Sequence, residues 1–152
     1  MTRTLIAICL LAACGGSHPA PATASSGAAC PPAVPAAVTK AYPDAAQDSC
    51  KAEHEDGKDI FEVKLTKKDG GKAELDVSPE GTILQVEEVV PTASLPEPVA
   101  KAFAAKFPGA QPARVERQTS PGKPPTFEIA FSAGTVGKEV TFSESGDLVE
   151  EE

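Results

Sequence analysis

Aromatic residues, basic residues and histidine are scarce in this sequence. Phe and Tyr make up 5 % of the 152 residues and Trp is absent, so the core must be built largely from Val, Leu, Ile, Ala and Phe. Only 14 Lys and Arg stand against 22 Asp and Glu, which gives a net charge of -8. Phosphate contacts demand clustered Lys and Arg, so this balance argues against a nucleic-acid partner. It equally disfavours electrostatic docking on anionic lipid headgroups.

Residues that could carry out chemistry are also few. His18 falls in a stretch without periodicity, which leaves His54 as the one structured histidine and no credible Ser, His, Asp set. Glu53-His54-Glu55-Asp56 is the only cluster of metal-type ligands, but neighbouring residues of a strand point to opposite faces. We favour a solvated charged loop there. The sequence therefore predicts no catalytic residue, no cofactor and no metal site, and hence a protein that is not an enzyme.

Residues 1–13 have the form of an export signal. Arg3 gives a positive start, and the apolar run Leu5–Leu11 is too short to span a bilayer as a folded anchor. The run continues into Leu11-Ala12-Ala13-Cys14, which resembles the lipobox of bacterial lipoproteins. That resemblance implies cleavage before Cys14, acylation of Cys14, and contact with the membrane through this lipid anchor only. The alternative is an ordinary secretory signal with a coincidental Cys.

The segment that follows is predicted to be a tether. Gly15 stands where an Asp would favour inner-membrane retention in lipoproteins of enteric bacteria, so the resemblance implies the outer membrane, facing the periplasm. Residues 14–29 lack large apolar side chains, and such a segment cannot bury enough surface to offset its ordering entropy. His18, inside it, is not predicted to be a ligand.

The stretch from Cys30 to Glu87 recurs 65 residues later. The turn Ser78-Pro79-Glu80-Gly81 matches Ser143-Glu144-Ser145-Gly146, and Phe61-Glu62-Val63 matches Phe127-Glu128-Ile129 once one extra residue is allowed. Apolar and turn positions match while surface positions differ, so a fold has been kept. We predict two repeats, at residues 30–90 and 91–152. Each is so small that the two are expected to share a core or a sheet.

Each repeat begins with a predicted helix. The first lies near Val34 to Tyr42, and Pro35 confines its start, so we expect it to be about a turn shorter than the second. The second is predicted to begin with a capping box in which Ser94 and Glu97 satisfy free amides, and to end at Phe107.

Four strands are predicted to follow each helix. They lie at Ser49–His54, Ile60–Thr66, Ala73–Ser78 and Thr82–Val90 in the first repeat, and at Arg114–Gln118, Thr126–Ser132, Lys138–Ser143 and Asp147–Glu151 in the second. The fourth strand has apolar residues on both faces, so its inward face is ambiguous. Glu87-Glu88 and Glu150-Glu151-Glu152 are interpreted as charges that keep a strand from pairing edge to edge.

Two of the four cysteines remain for the folded part. Under the 65-residue shift Cys30 falls on Leu95 and Cys50 on Val115, and we expect Leu95 and Val115 to be neighbours where a helix packs on the first strand. A disulfide between Cys30 and Cys50 would replace that apolar contact, and export favours it. Free buried thiols or a metal pair are the alternatives.

The repeated motifs point to a family. Leu95-Pro96 before a short helix, the helix ends Tyr42-Pro43-Asp44-Ala45 and Phe107-Pro108-Gly109-Ala110, Phe-Glu-Val/Ile and a Gly hairpin together resemble the PepSY-like, β-lactamase-inhibitor-like family of bacterial exported proteins. The resemblance implies an α+β fold of two tandem repeats, each a helix packed on a four-stranded antiparallel sheet. It leaves open whether the sheets merge into one of eight strands. No inhibitory loop can be matched residue by residue, so β-lactamase inhibition is not carried over.

Outward-pointing strand residues are the candidate binding face. They are Glu62, Lys64, Glu74, Asp76, Glu128, Glu139 and Thr141. Glu62 and Glu128 occupy equivalent positions and could be imagined as paired catalytic carboxylates, but solubilising residues are the simpler interpretation. We favour a non-catalytic, inhibitor-like or protein-binding module whose partner is an envelope protein, such as a protease or another enzyme. The alternative is a periplasmic module that binds a small ligand or a cation.

Overall fold

The structure, a computed structural model, describes residues 29–55 and 57–152. One helix followed by four strands occurs twice, which gives two helices and eight strands in all. They are α1 (Ala33–Ala41), β1 (Ala46–Glu55), β2 (Lys58–Thr66), β3 (Lys72–Val77), β4 (Ile83–Val89), α2 (Glu97–Lys106), β5 (Pro112–Thr119), β6 (Thr126–Ala133), β7 (Val136–Ser143) and β8 (Leu148–Glu151), with a short 3-10 helix at Thr92–Ser94 before α2.

All eight strands form one antiparallel sheet in chain order, from β1 at one edge to β8 at the other. The predicted α+β fold is confirmed, and the choice that the sequence left open is decided in favour of a merged sheet. The two halves join where β4 pairs with β5, from Val86 opposite Thr119 to Val89 opposite Glu116. The sheet therefore continues across the boundary between the repeats.

Each half keeps its own core on the helix side of the sheet. Val34 and Val38 of α1 are buried against one set of strand residues, and Val99 and Phe103 of α2 against another. The strand residues are Phe61, Val63, Leu65, Ala73, Leu75 and Val77 in the first core and Val115, Phe127, Ile129, Phe131, Val140 and Phe142 in the second. Both helices thus cover the same face, because the inward residues follow the period-2 alternation of strands.

The first helix lies where it was predicted, but its expected shortening and the predicted start of the second helix were wrong. Helix α1 has nine residues and α2 has ten, so no turn is missing: α1 begins early enough that Pro35 still lies in its first turn. The capping box does not form, since the Ser94 hydroxyl donates to the Pro91 carbonyl at 2.6 Å. Leu95 precedes Pro96 and is extended, with ψ 133°, which prevents a helix from starting at Ser94.

The interpretation of Glu87 and Glu88 as edge charges was also wrong. Strand β4 is paired on both sides, with β3 and β5, and is an interior strand. Glu88 points to the helix side, where its carboxylate accepts from the Tyr42 hydroxyl at 3.4 Å and pairs with Lys67 at 3.2 Å. Only the Glu150–Glu152 tail belongs to an edge, that of β8.

Cys30 and Cys50 form the expected disulfide, with their Cα atoms 6.1 Å apart. Both pack against the first core, and their repeat equivalents Leu95 and Val115 lie together in the second. The expectation that a covalent link takes the place of an apolar contact is therefore confirmed. It joins the chain ahead of α1 to the edge strand β1.

The predicted signal (1–13), the predicted acylation site Cys14, the predicted tether up to residue 28 with His18, and Asp56 all lie outside the described residues. Within residues 29–55 and 57–152, neither helix is long and apolar enough to cross a membrane.

Candidate functional site

The sheet face opposite the helices carries a continuous charged surface. The register places Glu62 opposite Asp76, and Lys64 opposite Glu74. Glu128 likewise lies opposite Thr141. We call this surface the acidic face and define it by Glu62, Lys64, Glu74, Asp76, Gln85, Glu87, Arg114, Glu116, Gln118, Glu128, Glu139 and Thr141. All seven residues predicted for the binding face are among these twelve.

Sequence reasoning missed the residues that connect the two halves of the face. Glu87 of β4 lies between Glu74 and Gln118, and Glu116 of β5 lies beside Glu128. The ambiguous alternation of β4 hid Glu87. The one available signal was the alternation of β5, in which buried Val115 implies an outward Glu116.

Each half of the face holds one cation between carboxylates. Lys64 lies 2.9 Å from Glu74 and 3.3 Å from Glu62. In the second half Ala130 stands at the position of Lys64, and Arg114 of the neighbouring strand β5 supplies the cation instead. Its Nη2 lies 3.1 Å from Glu116, 3.6 Å from Glu139 and 3.9 Å from Glu128. The two repeats thus maintain the same charge arrangement with cations from different strands.

Amide side chains link the two halves at the centre. The Gln118 amide nitrogen lies 3.1 Å from a Glu87 oxygen and 3.0 Å from a Glu128 oxygen, so it bridges both carboxylates. Gln85 donates to the same Glu87 oxygen at 2.7 Å. Thr126 donates to the Gln118 carbonyl at 3.0 Å, which fixes the orientation of that amide. The centre of the face is therefore an ordered network rather than a set of independent surface charges.

Several carboxylates of this face are withdrawn from solvent although α1 and α2 lie on the other side of the sheet. Glu116 is only 8 % exposed. Burial, reinforced by Glu139, Glu87 and Glu116, raises the pKa of Glu128 to about 7 against the opposing effect of Arg114. Burial and the neighbouring Glu55 and Glu87 raise the pKa of Asp76 to about 6. Part of the face therefore carries protons near neutral pH.

These shifts predict that the fold is more stable at pH 5 than at pH 8. A carboxyl whose pKa is higher in the folded than in the unfolded chain contributes stability below its unfolded pKa, and that contribution is lost as the pH rises through the folded value, here about 7 for Glu128. Glu128→Gln should therefore raise the melting temperature at pH 8 by roughly 2–5 °C and change it little at pH 5. Thermal unfolding followed by circular dichroism at both pH values measures this.

Glu97→Gln is the matched control, because Glu97 lies on α2, is well exposed and pairs with Lys101. This substitution should leave unchanged the difference in melting temperature between pH 5 and pH 8. Asp48 and Glu151 do not confound the comparison. Hydrogen bonds lower the pKa of both carboxyl groups, so their contribution to stability changes with pH only below pH 5. Equal melting temperatures at pH 5 and pH 8 for the unsubstituted chain would contradict the prediction.

Metal-type ligands do not converge. Within the described part of the chain, no group of three His, Cys, Asp or Glu side chains is arranged to hold a metal ion. His54 alternates with Glu53 and Glu55 along β1 and so points to the other face, where its Nδ1 lies 2.8 Å from the exposed Asp59 carboxylate.

A family model described as "Putative beta-lactamase-inhibitor-like, PepSY-like" matches the chain twice, over residues 22–85 and 68–150. No curated protein matches the sequence.

Solved structures share the fold at low sequence identity. A "putative periplasmic" protein of Bacteroides eggerthii superposes with a TM-score of 0.68 at 16 % identity, covering 81 % of this chain and 88 % of its own. A DUF2874 family protein of Bacteroides uniformis gives 0.66 at 17 %, covering 80 % and 88 %. A BLIP-like protein of Bacteroides fragilis gives 0.60 at 23 %, covering 79 % and 83 %. Identities this low support the fold and nothing finer.

Proposed function

The chain belongs to the PepSY-like, β-lactamase-inhibitor-like family, and we propose that it is a non-catalytic envelope lipoprotein that binds a basic surface of another protein through its acidic face. The family description indicates no catalytic role, and one of the structures that share the fold is described as BLIP-like. An envelope enzyme, such as a protease, is the kind of partner that this likeness suggests.

The imbalance of charge on a withdrawn surface is the observation that carries the proposal. The acidic face holds seven carboxylates, Glu62, Glu74, Asp76, Glu87, Glu116, Glu128 and Glu139, against the two cations Lys64 and Arg114. Withdrawing like charges from water is unfavourable, and protons on Glu128 offset only part of that cost. Lys and Arg side chains of a partner would complete the neutralisation. Such complementarity gives specificity and fast association more than raw affinity.

The lipid anchor and the cellular location are proposed from the sequence together with the fold. Acyl chains on Cys14 would hold the protein on the outer membrane, residues 14–29 would act as a tether, and residues 30–90 and 91–152 would be the two repeats. A related structure is described as periplasmic, which agrees with this location. Incorporation of labelled palmitate into the chain, lost with Cys14→Ser, would test the anchor.

A cation or a small ligand is the second candidate occupant of the acidic face. The observation in its favour is the raised pKa of Asp76 and Glu128, because a bound cation would displace their protons. A rise in melting temperature with a divalent metal ion, in the absence of any protein partner, would favour it over protein binding.

We expect the proposed function to appear as charge-dependent capture. The full chain carrying Cys14→Ser, which cannot be acylated, is immobilised and exposed to envelope extract from the source organism. A protein retained on it should be lost with the double variant Glu62→Lys/Glu128→Lys, because one attractive charge in each half becomes repulsive. The retained protein is then purified, and its binding to both chains is measured directly.

Glu80→Lys/Glu144→Lys is the matched control, since it makes the same change of charge on the β3–β4 and β7–β8 hairpins, which pack beside the helices. It should retain the partner. Glu62→Gln/Glu128→Gln should weaken binding less than Glu62→Lys/Glu128→Lys does. It replaces that variant in the experiment if the charge reversal disturbs folding. Equal retention by the acidic-face variants and the control, or no direct binding of the purified protein, would refute the proposal.

A further inference from the structure

A groove of about 440 Å³ opens on the sheet face that carries the acidic face, at the seam between the two repeats. Its floor includes Ile60 of β2, Asp76 of β3 and Leu84 of β4. Its walls come from Glu55 and Lys58, at the ends of β1 and β2 in the first repeat, and from the β5–β6 loop of the second, which contributes Pro121. We call it the seam groove. Its volume lies within the range of sites that hold a ligand or a partner side chain.

A β-bulge shapes the apolar part of the groove. Val77 pairs with Ile83 and Asp76 with Gln85, so Leu84 is the extra residue between them. Leu84 is 37 % exposed, which leaves its side chain available at the groove. Ile60 is only 5 % exposed although it alternates with Glu62 and therefore lies on the helix-free face. The sheet thus offers a small apolar surface in an otherwise polar region.

The second repeat has the same bulge, but its described residues do not supply the charge and the second wall found in the seam groove. Val149 is its extra residue, since Thr141 pairs with Glu150 and Phe142 with Leu148. Thr141 stands at the position of Asp76, and β8 is the last strand of the sheet, so no neighbouring loop can form the second wall. Of the two bulges in the described sheet, the one at the seam therefore has both the buried carboxylate and a wall on each side.

Asp76 supplies an uncompensated negative charge on the floor. It is half-buried, with Glu55, Glu62, Glu74 and Glu87 around it. No salt bridge reaches it from any described residue, although Lys64 pairs with its neighbours Glu62 and Glu74. A cation on the floor of the groove would therefore be attracted by several carboxylates at once.

Two lysines at the walls restrict what can enter. Lys58 belongs to the β1–β2 side and Lys123 to the β5–β6 side, and both are exposed. Because these lysines would repel a bound cation, charge alone is not enough to hold one in the groove, and a long side chain with an apolar stem is favoured. Arginine has such a stem, and its guanidinium is more weakly hydrated than the lysine ammonium.

We propose that the seam groove receives a single arginine side chain of the protein partner, with the guanidinium on Asp76 and the methylenes against Ile60 and Leu84. This inference rests on the proposed binding function and names the anchor residue of the partner. It places the anchor where the two repeats meet, at one end of the acidic face. Anchors of this kind, seated in a pocket within a charged surface, are common centres of binding energy.

Methyl NMR of the full chain carrying Cys14→Ser tests the groove directly. Isoleucine methyl groups are labelled, and the peptide acetyl-Ala-Arg-Ala-amide is titrated at millimolar concentrations. The Ile60 and Ile83 signals should shift, because both residues line the groove, while Ile129, fully buried in the second core, should not. The same peptide with citrulline, which has the shape of arginine without its charge, should leave all three signals unmoved.

Variants connect the shifts to the groove. Asp76→Asn should weaken binding of the arginine peptide about tenfold, since it removes the charged acceptor. Leu84→Ala should weaken binding of the same peptide about threefold through lost apolar contact. Glu144→Gln, which removes one exposed carboxylate of the β7–β8 hairpin outside the groove and outside the acidic face, is the control and should change the affinity less than twofold.

Absence of shifts at Ile60 and Ile83, equal shifts with citrulline, or unchanged affinity in Asp76→Asn would each overturn the groove inference. If that happens while Glu62→Lys/Glu128→Lys still abolishes partner capture, the proposed function stands and only the anchor is wrong. If the peptide binds as expected but the double reversal leaves capture intact, the proposed function is refuted instead.

Discussion

Alanine in place of Gly81 or Gly146 is expected to lower the free energy of unfolding by about 3–5 kcal/mol. Both glycines have positive φ, 87° and 88°, which other residues adopt at a cost. An added Cβ would also lie 2.7 Å from the carbonyl oxygen of Ala33 at Gly81, and of Pro98 at Gly146. These oxygens belong to the first turns of α1 and α2, so the clash separates a hairpin from the helix that covers its core. Urea unfolding of the two variants measures the loss.

Gly70→Ala separates the two causes. Gly70 has φ of 85°, but nothing lies within 4 Å of an added Cβ, so only the backbone cost remains, about 1 kcal/mol. The Gly81 and Gly146 variants should therefore lose several times as much stability as Gly70→Ala. Equal losses at the three positions would contradict the role assigned to the hairpin-to-helix contact.

Removing the disulfide with Cys30→Ala/Cys50→Ala should cost about 3 kcal/mol, because the link closes a loop over a sequence separation of 20 residues. The disulfide is expected to stabilise the first core in particular. The second core contains a cluster of three aromatic rings, Phe103, Phe107 and Phe131, with centroids 4.5–5.5 Å apart, whereas the equivalent places in the first are Val38, Tyr42 and Leu65. Unfolding with and without a reductant should reproduce the loss in the unsubstituted chain.

Leu95→Ala is the comparison in the second repeat, because Leu95 takes the place of Cys30 there. It is half-buried and should cost about 1–2 kcal/mol, less than the loss of the link. A reductant should not affect the double Cys variant further. An unchanged midpoint in the reduced, unsubstituted chain would contradict the stabilising role of the disulfide.

The fold could be predicted from the sequence because buried positions have kept their pattern. Phe61-Glu62-Val63 and Phe127-Glu128-Ile129 both alternate, and both hairpins keep a glycine at the same place. Each local signal agrees with the repeat, so helices, strands and the disulfide could be assigned without coordinates. The predicted start of α2 was wrong because two local rules competed, at Ser94 and Pro96, and the restriction before proline decided the outcome.

The candidate site could be predicted only in part, because half of it depends on pairing between the repeats. Outward residues of β2, β3, β6 and β7 follow from alternation alone. The contribution of Glu87 depends on the register of β4, in which the bulge at Leu84 interrupts the alternation. The seam groove depends on a β5–β6 loop from the other repeat, and no periodicity within one repeat can show that proximity. The raised pKa of Asp76 and Glu128 likewise results from burial within the sheet and from carboxylates that are mostly on other strands.

The dissociation constant of the purified partner for the two double charge-reversal variants tests the central claim most directly. If the acidic face is the binding surface, Glu62→Lys/Glu128→Lys should weaken binding at least about a hundredfold, from two charge contacts of roughly 1.5 kcal/mol each or more. Glu80→Lys/Glu144→Lys, with the same net charge, should remain within about threefold of the unsubstituted chain because rim charges away from the contact contribute little. Equal weakening by both variants would show that only the overall charge matters, and would contradict the assignment of function to this face.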